Sequence, residues 1–307
     1  MIGCRACGPT LREGFVAYNT PQETAAAAVE SGVTKANMSL DKMVVGGFLA
    51  GAYIAFGSLL AVAVTSGLNT AQWGTLPTLV FGAVFSVGLM LVILAGAELL
   101  TGNMMLLPIA ALRGRVSLPK IAINWTVLFI ANFVGSLFVA YFLAVKTGVI
   151  GTSQSDHAST AYLTFTRLSG IAKGKAITET HYEVFLRAVG CNWLVCLGVW
   201  LAIAAKDVGG KILGIFFPIM AFVAMGFDHV VANMFFLPAA MFAHVPGITA
   251  ANTAWNLLMA LLGNIVGAVI FVSGAYWFLY LRGGPATASG TGPESRAAGM
   301  AEPAGMS

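Results

Sequence analysis

Charged side chains are scarce in this sequence: Asp, Glu, Lys and Arg make up 9% of 307 residues, against about 25% in an ordinary soluble domain. So few charges cannot cover a water-facing surface. With 58% hydrophobic residues and a mean hydropathy of +0.85, the expected solvent is a lipid bilayer. The net charge of +4 is modest and spread over loops. No basic patch with interleaved aromatics exists, so nucleic acid is excluded as a partner. Cysteine is scarce too, at four residues. Cys4 and Cys7 form a lone CxxC, half of a zinc ligand set, and Cys191 and Cys196 read as small packing residues in an apolar helix. No metal site and no cofactor are expected. Residues 1–42 lack the apolar core of a secretory signal, and the first long apolar run, Met43–Thr65, is followed by no cleavage pattern.

Long apolar runs are abundant. Stretches long enough to span a bilayer, about 20 residues, begin near Met43, Pro77, Ile121, Arg187, Ile212 and Asn252. The fold class is therefore an all-α integral membrane protein with six transmembrane helices. Two stretches are too long for one straight helix across a core about 30 Å thick: Pro77–Leu112 and Lys211–Ala243. Each carries glycine and polar residues at its centre, and both are expected to be broken helices, non-helical over 97–102 and 227–232. The two breaks are related without gaps. Gly96-Ala-Glu-Leu-Leu-Thr-Gly-Asn-Met-Met-Leu-Leu-Pro-Ile-Ala110 aligns with Gly226-Phe-Asp-His-Val-Val-Ala-Asn-Met-Phe-Phe-Leu-Pro-Ala-Ala240. Asn124 and Asn132-Phe-Val-Gly135 then align with Asn256 and Asn264-Ile-Val-Gly267. The chain is an internal duplication, with repeats at about 43–145 and 187–282 inside a membrane domain of 43–282. Three helices per copy put the copies in opposite orientations, a 3+3 inverted repeat. Paired interruptions of this kind point to a transport site.

Loop cations set the orientation. Arg113, Arg115 and Lys120 follow the second span, and Lys206 and Lys211 the fourth; the loops after the first and fifth have no Lys or Arg. Both termini are thus expected in the cytoplasm of a multi-pass cell-membrane protein. The long loop 146–187 would lie outside, yet it carries Lys146, Arg167, Lys173, Lys175 and Arg187. Long loops translocate whatever their charge, but these cations could also draw an anion into an outer vestibule. Residues 1–42 contain an amphipathic helix opened by the capping box Thr20-Pro-Gln-Glu23. The tail, 283–307, is rich in Gly, Ala, Ser and Pro, the composition of disorder.

His229 is the sharpest chemical feature, because an ionisable group inside a span is costly and marks function by default. The bland alternative is a histidine satisfied by helix–helix hydrogen bonds. Thr101 is its near-counterpart in the first copy; a hydroxyl beside an imidazole can hold an oxyanion, or can simply cap a half-helix. Glu98 and Asp228 occupy equivalent places. Left unpaired they would repel anions, so they should be paired away from the conduit and orient Thr101 and His229. Asn192 is polar in an apolar span, either a pore group or interhelical glue. An enzyme is not expected, since the spans offer no second histidine, metal set or nucleophile.

Four motifs in this order, Gly226-Phe-Asp-His-Val-Val-Ala-Asn-Met234, Ala97-Glu-Leu-Leu-Thr-Gly-Asn103, Cys191-Asn-Trp-Leu-Val-Cys-Leu197 and Gly263-Asn-Ile-Val-Gly267, resemble the formate/nitrite transporter family over about residues 20–282. The resemblance implies an aquaporin-like fold and a homopentamer with one pore per protomer. His229 would be the central pore histidine and Thr101 the threonine of the mobile loop. Phe85 and Phe222 would form the aromatic outer constriction, and Leu89, Leu99 and Val195 the apolar inner one. Asn192 and Asn233 would belong to a supporting polar network that also uses an acid and a lysine. The acid is Asp228, where glutamate is usual. The lysine position, sixteen before Asn192, falls on Ala176, so Lys175 fits only with a one-residue shift. Leu100 replaces a frequent phenylalanine, which would widen the inner constriction.

The expected function is passage of a small monovalent anion of a weak acid, formate foremost, with nitrite, hydrosulfide, acetate or lactate as alternatives in the same fold. The anion could cross as the neutral acid after taking a proton at or near His229. Alternatively it could be held by His229 and Thr101 in a partly wet channel. An aquaporin-type neutral-solute channel is the runner-up, but its paired Asn-Pro-Ala is absent: Asn103-Met-Met and Asn233-Met-Phe stand instead. If Lys175 gathers anions, Lys175→Glu should lower uptake most at low substrate and low ionic strength, where screening is weak. Unchanged uptake there would make the loop cations incidental.

Overall fold

The computed structural model describes residues 18–283, and those residues are helical throughout apart from their connections. The CxxC near the N-terminus and the tail after Gly283 lie outside the described residues. Helix α1 spans Pro21–Ala36, with Thr20 and Glu23 forming the reciprocal capping box. Helices α2 (Leu40–Thr65), α3 (Leu76–Leu94), α5 (Leu118–Val145), α7 (His181–Ala204) and α10 (Ala250–Leu281) are each long and apolar enough to cross a membrane. Shorter apolar helices are α4 (Leu100–Leu112), α8 (Val208–Ala224) and α9 (Val230–Phe242). Helix α6 runs Thr160–Lys173 and continues as a π-helix over Gly174–Thr178.

The helices start up to six residues earlier than the apolar runs suggest, α7 at His181 rather than Arg187. The reason is capping. Thr180 with Glu183, and Thr249 with Asn252, form capping boxes, and Asp207 caps α8. Polar first turns of this kind carry no hydrophobic signal. Residues 146–187 are likewise not a plain loop, because α6 occupies much of the stretch.

Both breaks are present. They fall at residues 95–99 and 225–229, slightly ahead of the expected positions, and Leu100–Gly102 and Val230–Ala232 are already helical. Each break contains a glycine in the left-handed region, Gly96 at φ +81° and Gly226 at φ +73°, which ends the preceding helix where a side chain would be strained.

A break exposes backbone N–H and C=O groups that hydrocarbon cannot satisfy. One asparagine answers for each. Asn132 Oδ1 accepts the Leu100 amide at 2.9 Å, while its Nδ2 donates to the carbonyls of Glu98 (3.0 Å) and Gly47 (2.7 Å). Asn264 repeats the pattern: Oδ1 accepts from Val230 at 2.9 Å, and Nδ2 donates to the carbonyls of Asp228 (3.0 Å) and Ala188 (2.8 Å). Each asparagine comes within reach because a glycine one turn on lets backbones touch. A Cβ on Gly135 would stand 2.0 Å from the Phe48 carbonyl oxygen, and one on Gly267 2.3 Å from that of Val189.

Removing either carboxamide strands the amide and the carbonyl of a break, at about 1–3 kcal/mol each, while the Gly47 and Ala188 carbonyls lie inside continuous helices and keep their intrahelical partners. Asn132→Ala and Asn264→Ala should each lower the thermal midpoint of the detergent-solubilised protein by several degrees or more, whereas Asn37→Ala, at an exposed helix end, should not. Wild-type melting of both clamp variants would remove the asparagines from this role.

Candidate functional site

The helices that follow the breaks place two side chains in contact. Thr101 is the second residue of α4, and His229 is the N-cap of α9. Thr101 Oγ1 and His229 Nε2 are 2.9 Å apart and both residues are buried. Because Nδ1 accepts the Ala232 amide at 3.1 Å, the neutral ring carries its proton on Nε2 and donates it to Thr101. The contact joins the N-termini of two half-helices, where the helix dipole favours negative charge.

A cavity lies on each side of this contact. The first, of about 170 Å³, is lined by Phe81, Phe85, Arg167, Lys175, Phe222 and His229 among others. Phe85 and Phe222 meet edge to face at 6.0 Å between ring centres, and Phe222 lies 5.9 Å from the imidazole. The guanidinium of Arg167 sits 5.3 Å from the centre of the Phe81 ring. The second cavity, of about 220 Å³, is lined by Lys35, Leu89, Glu98, Leu99, Val199 and Lys211 among others. The two cavities share no wall residue.

Behind each cavity stands the same polar network. On one side Lys35 Nζ donates to Glu98 Oε1 at 2.6 Å, and Asn103 Nδ2 donates to Glu98 Oε2 (3.2 Å) and Asn124 Oδ1 (3.1 Å). Asn124 Nδ2 closes the loop on the Lys35 carbonyl at 3.4 Å. On the other side Lys175 Nζ donates to Asp228 Oδ1 at 2.6 Å, and Asn233 Nδ2 donates to Asp228 Oδ1 (2.9 Å) and Asn256 Oδ1 (2.8 Å). Asn256 Nδ2 reaches the Lys175 carbonyl at 3.0 Å. Both acids are thus neutralised by a lysine and held to an asparagine.

The structure brings most of the sequence-derived residues together. His229, Phe85, Phe222, Lys175 and Asn233 line the first cavity, and Leu89, Leu99 and Glu98 the second. Thr101 lies between them. Lys175 reaches Asp228 despite its extra residue, because the π turn at Gly174–Thr178 takes up one residue more than an α turn would. Asn192 and Val195 are buried but stand in neither wall. Asn192 Nδ2 instead ties the carbonyls of Thr101 (3.3 Å) and Asn264 (2.8 Å). Leu100 faces away from the Lys35 cavity, toward Trp125, Phe129 and Leu261, so it cannot set the width expected of it. The sequence reading missed Lys35, which comes from α1, as well as Val199. Strict application of the repeat calls for a lysine beside Glu98, as beside Asp228, but does not say which.

The match to a protein-family model, Formate/nitrite transporter, covers residues 22–278. A protein of Methanothermobacter thermautotrophicus named probable formate transporter is 49% identical over 272 residues, covering 86% of this chain and 98% of its own. Among solved structures, an FNT family ion channel is similar at TM-score 0.75 and 30% identity, over 84% of this chain and 98% of that one. A pentameric formate channel with formate bound is similar at TM-score 0.67 and 27% identity, over 79% and 98%. These relatives are transporters and channels, not enzymes. With its several membrane-crossing helices, the chain is a multi-pass membrane protein and belongs to the formate/nitrite transporter family.

Proposed function

We propose that the protein carries formate, or a comparably small monovalent anion, across the cell membrane through a route within each protomer. The observation that supports this most is the Thr101–His229 contact at 2.9 Å between two half-helix N-termini. Donors converge there from both copies of the repeat: the Nε2–H and the threonine hydroxyl, backed by the dipoles of α4 and α9, whose first amides are held by Asn132 and Asn264. A carboxylate or nitrite oxygen is the natural guest of such a point. Lysine at the wall of each cavity favours an anion over a neutral solute of aquaporin type.

The reading includes six spans in a 3+3 inverted repeat of aquaporin-like fold, with α3–α4 and α8–α9 as the second and fifth. Both termini face the cytoplasm, following the loop cations. The Lys35 cavity then opens inward and the Lys175 cavity outward. Because both cavities are lined by one chain, each subunit of a homopentamer, the state named for one structural relative, would have its own pore. Phe85 with Phe222, and Leu89 with Leu99, form the apolar constrictions on either side of His229. Asn192 and Val195 support from behind.

Crossing these rings as a bare ion would cost several kcal/mol of hydration. Protonation to the neutral acid removes that cost. His229 does not store the proton, because Nδ1 is committed to the α9 cap; it donates Nε2–H to the anion, which takes its proton from cavity water. Conduction is thus proton-linked without imidazolium.

His229→Asn retains a donor but loses the placement of Nε2–H. A hydrogen bond to a charged group is worth about 1.5–3 kcal/mol, so labelled formate flux into liposomes should fall about ten- to a hundredfold, with pentamer assembly intact. Thr101→Ala should fall less, and Thr101→Ser should recover most of the flux. Wild-type flux in His229→Asn, at matched incorporation, would refute the role.

A further inference from the structure

The network behind the Lys175 cavity contains more than its counterpart. Asp228 is fully buried and spends one oxygen, Oδ1, on Lys175 and Asn233. Its other oxygen, Oδ2, is buried with no partner. Glu179, between the end of α6 and the start of α7, pairs with Arg187 through Oε1, and its Oε2 is also buried and unpartnered. These two carboxyl groups lie against each other. Two ionised carboxylates cannot hydrogen-bond, and two negative charges in contact under low dielectric repel. One proton between them satisfies both orphaned oxygens.

We propose that Glu179 and Asp228 form a proton-binding site: Glu179 Oε2 holds one exchangeable proton and donates it to Asp228 Oδ2, and its occupancy sets the charge of the Lys175 cavity. The charged and titratable groups facing the pair are Lys175 from the turn after α6, Arg187 and Cys191 from α7, and His229 at the break. Burial and the neighbouring Asp228 push the Glu179 carboxyl up to about 7, against the opposing pull of Lys175 and Arg187. The proton comes from water on the cavity side and returns there.

The sign follows from counting charges. With the proton in place, Lys175 and Arg187 face one negative charge, Asp228; without it they face two, and the positive excess of the cavity falls by one, leaving that of Arg167 in its wall. Acidity therefore strengthens the attraction for an anion and alkalinity weakens it. The Lys35 cavity has no such switch, because Glu98 spends both of its oxygens, on Lys35 and Asn103.

The effect on transport rests on the function proposed above; the proton site does not. Infrared difference titration of the lipid-reconstituted protein should show a protonated carboxyl band that disappears as pH rises from about 6 to about 8, outside the ordinary carboxylate range. Glu179→Gln should abolish this band, and Asp228→Asn should shift its midpoint down toward an ordinary glutamic acid. Labelled formate exchange at equal pH on both sides is the second arm. Wild-type flux should fall more steeply than that of Glu179→Gln, so that the variant-to-wild-type ratio rises a few-fold between about pH 6 and about pH 8. A wild-type spectrum without such a band, or a band that persists in Glu179→Gln, would overturn the site. A band that titrates while the flux ratio stays constant would overturn its control of the cavity. Absence of formate exchange with the band intact would count against the transport reading and leave the proton site standing.

Discussion

A helix can stop and restart inside hydrocarbon only if its orphaned backbone groups find partners, and here two carboxamides supply them. Asn132 and Asn264 each bind one amide and one carbonyl of a break, and also one carbonyl of the helix packed alongside. Everything at the centre depends on this. The clamps leave α4 and α9 starting deep in the protein, with their N-termini turned toward each other. That turns an apolar bundle into a place where negative charge is welcome, without placing a net cation at its core. The glycines that let the asparagines approach, Gly135 and Gly267, belong to the same device.

The two copies of this device have diverged where they meet. Position for position, Leu99 matches His229 and Thr101 matches Val231. One copy supplies an imidazole, the other a hydroxyl, and apolar residues fill the complementary places. The acids have diverged as well. Glu98 reaches both its lysine and its asparagine with separate oxygens, while the shorter Asp228 serves both with one and leaves the other to Glu179. A difference of one methylene thus separates a saturated ion pair from one with room for a proton.

Much of this was legible in the sequence because duplication is visible as residue identity: the breaks, the Asn-Met and Leu-Pro pairs, Asn132 with Asn264. The chemistry at the break could be named from His229 and Thr101 before any contact was known. What stayed hidden was tertiary. Lys35 lies on an amphipathic helix far in sequence from Glu98, and nothing local marks it as more than a surface lysine. Lys175 was one residue out of place until the π turn after α6 absorbed the difference. Asn192 and Leu100 were assigned by position, but the direction of a side chain depends on which helices pack against it. Arg187 reads in the sequence as one more loop cation and Glu179 carries no signal at all, because burial by neighbouring helices is not written in a local pattern.

The central claim is that converging half-helix N-termini, flanked by lysine-bearing cavities, select a small anion. Its most direct measurement compares solutes in liposomes containing the pure protein: labelled formate, nitrite and lactate against sodium and glycerol, each relative to protein-free vesicles. The account requires saturable acceleration of one or more of the anions and none of sodium or glycerol. Accelerated glycerol or sodium entry with no gain for any of the three anions would contradict it.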